Sequence, residues 1–173
     1  MRIAPIVILF LYVLLPGVSA LAAGKETLAD ISGVAVIVDE VSDFAREDGV
    51  KEEDIKGLIE QKLDKANIKV LEDRKWFTVF GGAYLLVKVV ASKAANGDHY
   101  AIYLDLELCQ TVVLFGKKLG QNVTTAAPTW SVGKLLSCNT AELKECVEGN
   151  VSELTDMFIK DYLEVNSLYW KAK

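Results

Sequence analysis

The stretch His99–Phe115 (HYAIYLDLELCQTVVLF), read in steps of two, separates into an apolar and a mixed side. Tyr100, Ile102, Leu104, Leu106, Leu108, Val112 and Leu114 fall on one side, and Ala101, Tyr103, Asp105, Glu107, Cys109 and Thr111 on the other. Successive side chains of a strand point to opposite faces, so this pattern predicts one long strand with a buried face. Asp105 and Glu107 suit the wet side of a sheet that is covered on one face only. The rest of the chain must supply neighbours for this strand and a layer to cover its apolar side.

Two hairpins supply the neighbours. Ala83–Ser92 reads as a strand with Leu85, Val87, Val89 and Ala91 on one face, and Asn96-Gly97 before the long strand is a hairpin signal. Beyond Gly116-Lys117-Lys118-Leu119-Gly120, Val123–Val132 reads as a weaker strand. Pro128 removes a ladder donor from it and predicts an edge position. Upstream, Gly33–Val38 is a β-branched strand, and Ile68–Leu71 a short one.

The covering layer comes from two helical patterns. Lys51–Ala66 carries an apolar stripe of Ile55, Leu58, Ile59, Leu63 and Ala66, with Glu52, Glu53 and Asp54 at the end where carboxylates are favoured. Gly57 inside it costs about 1 kcal/mol relative to alanine. Thr140–Val165 repeats Leu143, Val147, Val151, Leu154, Phe158 and Tyr162 at helical spacing. Asn139 with Glu142 has the form of a capping box, and Gly149-Asn150 would bend or split the helix. A shorter helix runs from a Ser42 cap to Arg46 and ends at Gly49. The predicted order is β-α-β-β-β-β-α. This is an α+β fold, a mostly antiparallel sheet of about five strands with two long helices on one face.

The N-terminus belongs to a different class of segment. Arg2, the apolar run Ile6–Leu15, Pro16-Gly17 and the small residues before Ala20 and Ala22 have the layout of a cleaved secretory signal. An uncleaved anchor is the competing reading, but the run is short for a bilayer span of about 20 residues. The division is then 1–22 signal peptide, 23–32 flexible N-terminus, 33–166 one α+β domain and 167–173 a C-terminal tail. A net charge of −5 with no basic run argues against nucleic acid or anionic lipid as partner. No stable membrane insertion is expected after signal removal.

Few residues point to chemistry. Asp39, Glu40, Asp43, Glu47 and Asp48 cluster after the first strand, yet lack the spacing of a calcium loop. His99 is the only histidine and flanks the tight turn. Asp105 and Glu107 have the spacing of paired carboxylates. Trp76 and Trp130 could line an apolar groove, although core packing is the commoner fate of tryptophan. The sequons at Asn122 and Asn150 matter only in a eukaryotic secretory route. No catalytic, cofactor-binding or metal residue is assigned, and no cofactor is implied.

Cys109, Cys138 and Cys146 permit one bridge and one free thiol. Cys109 reads as a buried apolar residue. Cys138 and Cys146 would stand too far apart if a helix began at Asn139, because Cys146 would then lie about two turns in, about 10 Å along the axis, and a disulfide needs Cα atoms within about 7 Å. Either the helix proper starts near Lys144 and the pair is bridged, or it stays reduced; the bridge is the preferred expectation.

Taken together, VDEVSDFAREDGVKEEDI (38–55), KLDKANIKVL (62–71), YLLVKV (84–89), YAIYLDLELCQTV (100–112), Thr129-Trp130 and FIKDYLEVN (158–166) resemble a family of small secreted bacterial proteins without an assigned activity. The resemblance covers Ile37–Asn166 and implies export. Lys51, where that family has a capping Thr or Ser, and the Cys138/Cys146 pair depart from its pattern. In element order alone the chain is also similar to periplasmic domains of the curli-secretion lipoprotein and of the propeller protein of the Tol–Pal system. Those domains assemble or recruit partners. The expectation is a non-catalytic protein of the bacterial periplasm, or a secreted one, that contacts an unknown envelope protein. The alternatives are a small hydrolase or metal-dependent enzyme built on the acidic residues, and a module binding a small apolar ligand.

Overall fold

The computed structural model describes residues 24–115 and 122–171. The expected signal peptide and the glycine-lysine turn at 116–120 lie outside the described residues. Four strands form one sheet in the order β1 (Gly33–Val38), β2 (Gly82–Lys93), β3 (His99–Leu114), β4 (Val123–Asn139). The helices are α1 (Asp43–Glu47), α2 (Glu52–Lys65) and α3 (Leu143–Lys171). The α+β class and a mostly antiparallel sheet hold, with four strands in place of five and one parallel pair, β1 with β2.

Both differences originate at β1. It pairs with β2 in parallel, Gly33 opposite Gly82 through Val38 opposite Val87, because α1 and α2 carry the chain back to the starting end of the sheet. The expected strand Ile68–Leu71 shrinks to a single bridge, Val34 with Val70. Its backbone still satisfies the outer side of β1: Val34 N–H donates to Lys69 O and Leu71 N–H donates to Val34 O, each at 2.9 Å.

β3 sits centrally, antiparallel to β2 and β4. Tyr100, Ile102, Leu104, Leu106 and Leu108 are all buried, as the alternation predicts. They meet Ile55, Ile59 and Leu63 of α2 and Val147, Val151, Leu154 and Phe158 of α3 in one core. Both long helices therefore cover the same face. Val112 and Leu114 lie beyond that layer, and Leu114 is exposed. β2 pairs with β3 only as far as Gln110, so the last residues of β3 pair with β4 alone and form a two-stranded arm. Pro128 stands on the edge strand, as expected, beside a bulge at Leu108/Cys109. The hairpin before β3 turns at Gly97, whose φ of +78° suits a residue without Cβ.

Several local expectations change. The segment 23–32, expected to be flexible, contains a 3-10 turn at Lys25–Leu28 and places Leu28 and Ile31 in the core. Ser42 makes no cap hydrogen bond, and its hydroxyl is buried without a partner. Lys51 at the start of α2 gives no side-chain cap either. Asn139 and Glu142 do not form a capping box; a 3-10 turn at Thr140–Glu142 precedes α3 instead. α3 runs unbroken past Gly149-Asn150 and continues to Lys171, so most of the expected tail is helix.

That 3-10 turn decides the cysteines. With the α-helix beginning at Leu143, the Cα atoms of Cys138 and Cys146 are 6.2 Å apart and the two residues are bridged. Cys109 is free and buried.

Candidate interaction surface

With both long helices on one face, the other face of the sheet is left to its own side chains. Cross-strand register arranges them in rows. From the β1 end outward these are Tyr84–Cys109, Leu86–Glu107–Ser131, Lys88–Asp105–Gly133, Val90–Tyr103–Leu135 and Ser92–Ala101–Ser137. The first row is roofed by the connection between α2 and β2, where Trp76 packs on Tyr84 at 4.7 Å between ring centroids. The rows from Val90 onward are open.

The middle rows hold an ionic cluster. Lys88 Nζ lies 2.8 Å from Glu107 Oε2 and 3.9 Å from Asp105 Oδ2. Asp105, expected on the wet side, is only 8% exposed. Burial, then a hydrogen bond and repulsion from Glu107, push its carboxyl above the ordinary range. Glu107 in turn raises the Lys88 ammonium. Burial pushes the Cys109 thiol up as well, and burial with a bond to Cys109 takes the Tyr84 phenol to about 12. Cys109 is therefore a protonated, sequestered thiol at neutral pH rather than a ready nucleophile. Gly133 has no room for a side chain: an added Cβ would meet Tyr103 Oη at 2.9 Å, Leu104 O at 3.2 Å and Asp105 Oδ1 at 3.3 Å.

The row Val90–Tyr103–Leu135 is apolar and open, at 60%, 43% and 77% exposure. Phe44 of α1, 64% exposed, shares a shallow concavity with Val90. Glu40, Asp43 and Glu47 stand on the rim of that concavity. The surface thus joins four exposed apolar side chains to an acidic border.

The other sequence candidates are dispersed. Arg46 gathers much of the acidic cluster, with its Nη1 2.9 Å from Asp43 Oδ1 and its Nη2 3.7 Å from Glu40 and 3.0 Å from Glu52. Asp48 is taken separately by Lys93 Nζ and the Tyr100 hydroxyl, each at 2.7 Å, and these bonds hold its carboxyl below the usual range. Among the described residues, no three His, Cys, Asp or Glu side chains are gathered as metal ligands. His99 is exposed at the start of β3, beside Asp98 and Thr140. Trp130 is buried against Phe158 on the helix-covered face, 5.3 Å between centroids, and donates Nε1–H to Asp161 Oδ2. Trp76 lies on the opposite face, so the two tryptophans share no groove. Asn150 is engaged by Lys134 and by the carbonyl of Cys146.

Sequence reasoning missed Phe44, Val90, Tyr103 and Leu135 as one surface. Val90 and Leu135 look like ordinary strand residues, and only the three-strand register aligns them with Tyr103. Among the described residues, no helix is long and apolar enough to cross a membrane.

No protein-family model matches the sequence, and no curated protein is detectably similar to it. Among solved structures, a PelC dodecamer from Paraburkholderia phytofirmans is similar at a TM-score of 0.41 and 11% identity, over 71% of this chain and 85% of that one.

Proposed function

We propose that this chain is an exported, non-catalytic bacterial envelope protein that works by protein–protein contact through the helix-free face of its sheet. One observation carries the reading: Val90, Tyr103 and Leu135 form an exposed apolar row, with Phe44 of α1 beside Val90, on a sheet whose other face is packed against the two long helices. The signal-like N-terminus and the Cys138–Cys146 bridge support export, because structural disulfides persist in oxidising compartments. The sequestered Cys109 thiol and the Lys88-bound carboxylates fit a structural role for the polar part of that face.

The test is site-specific photocrosslinking in the native envelope. A photoreactive residue at position 135 or 103 should give a discrete higher-mass adduct. The same probe at Glu153, on the exposed side of α3, serves as the control. Equal crosslinking from both places would defeat the reading. Fractionation with N-terminal sequencing tests export: cleavage after Ala20 or Ala22 is the expected result.

A further inference from the structure

Resting on the reading that this face is a docking surface, we infer that its partner is an amphipathic helix carrying Lys or Arg beside its apolar stripe. Two independent features select that occupant.

The first is spacing. Val90, Tyr103 and Leu135 lie on adjacent strands in register, and neighbouring strands are about 4.8 Å apart. The apolar row therefore repeats at about 5 Å across the sheet. Side chains three or four apart on a helix repeat at about 5–6 Å along its axis. A helix laid across the strands can match its stripe to the row, whereas a strand or an extended peptide repeats at about 6.6–6.8 Å on one face. The adjoining row, Ser92–Ala101–Ser137, is made of small residues, so a helix can approach the sheet closely beside the apolar ridge.

The second is charge. Glu40, Asp43 and Glu47 border Phe44, and Arg46 is the only cation that an ion pair assigns to any of them among the described residues. Lys88, in the row beside the ridge, is held by Glu107 and Asp105 and offers no free cation to that end. The border at the Phe44–Val90 end of the apolar row is thus net negative. A cationic helix is complementary to it, and an acidic one is opposed. A second copy of this chain, with a net charge of −5, is opposed as a whole on the same ground.

The experiment uses two synthetic helix-forming peptides with one leucine stripe, flanked by lysines in the first and by glutamates in the second. Binding to the mature protein is measured by calorimetry and by chemical-shift changes. The lysine peptide should bind and perturb residues around Val90, Tyr103 and Leu135, and the glutamate peptide should bind at least about tenfold more weakly. Leu135→Asp should weaken the lysine peptide about fivefold or more. The double change Glu40→Lys, Glu47→Lys should narrow the gap between the two peptides or reverse it. Glu153→Lys on the helical face should leave the gap unchanged. All these positions are exposed or half-exposed, and unchanged melting curves will certify the fold. If both peptides bind equally and Leu135→Asp weakens both, the cationic partner is overturned while the docking face stands. If Leu135→Asp leaves lysine-peptide binding unaltered, the docking face falls too. If neither peptide binds, the helix assignment is overturned, and crosslinking at position 135 decides the docking face separately.

Discussion

Lys88 Nζ sits 2.8 Å from Glu107, one diagonal step from its register partner Asp105, which it reaches only at 3.9 Å. Glu107 is the nearer partner, and Asp105 is left the more deeply buried of the two acids. Lys88→Met should therefore do more than remove a surface ion pair. It leaves two carboxylates together without a cation, at a cost of about 1–3 kcal/mol at neutral pH. Glu107→Ala, which leaves Lys88 with the distant Asp105, should cost about 1 kcal/mol. Denaturant melts of both variants check this, and a smaller effect from Lys88→Met than from Glu107→Ala would contradict it.

Asp105 gives the chain a pH signature of unusual sign. Its folded carboxyl titrates above the unfolded value of 3.8, so its stabilising contribution is complete below that value and is lost as pH rises through the folded value. Asp105→Asn removes this loss. The stability difference, variant minus wild type, should grow as pH rises from the ordinary carboxylate range and level off above the folded value. A difference that is flat or falls across a pH series of melts would show that Asp105 ionises normally.

Glu52 behaves in the opposite way. Its Oε1 accepts from Val41 N–H and from Arg46 Nη2, each at 3.0 Å, and backbone donors followed by Arg46 hold its carboxyl below the ordinary value of 4.5. That stability is present above the unfolded value and is lost as pH falls through the lower folded value. Glu52→Ala should cost about 1–3 kcal/mol by stranding the amide of buried Val41. Arg46→Ala in the Glu52→Ala background should then add less than it does alone, which a double-mutant cycle measures.

Replacing Cys138 and Cys146 together by serine should cost about 2–3 kcal/mol, the chain-entropy value for a loop this short. Alkylation of the oxidised protein after unfolding should label Cys109 alone. Label on all three cysteines in a non-reduced preparation would refute the bridge.

Leu106→Ala should cost about 2–5 kcal/mol, since Leu106 is buried at the centre of β3 in the core shared with both long helices. A loss below about 1 kcal/mol would put the strand in a different register.

The sequence made legible those elements whose cause is local. The period of two from Tyr100 to Leu108 fixed the buried side of β3, Asn96-Gly97 marked the hairpin, and Pro128 marked the edge. The relation between helix start and cysteine spacing anticipated that a bridge requires α3 to begin late. What remained hidden depends on partners distant in the chain. Lys93 meets Asp48 across 45 residues, and Lys25 meets Glu164 across 139. Nothing in the periodicity of Gly33–Val38 distinguishes a parallel from an antiparallel neighbour. The burial of Leu28 and Ile31 was missed because a four-residue 3-10 turn leaves no repeat to detect. The candidate surface was missed for a related reason: each of its residues is unremarkable alone, and a row across three strands is created only by register.

The arm at the end of β3 has a consequence for how the strand opens. From Tyr100 to Gln110 each residue is flanked by β2 and β4, while Thr111–Leu114 has β4 alone. A lone two-stranded ribbon in water is marginally stable. Amide hydrogens beyond Gln110 should therefore exchange through frequent local opening, while those of Ile102–Leu108 wait for global unfolding. A single continuous strand would then carry two separate protection classes, with their boundary at the point where β2 begins.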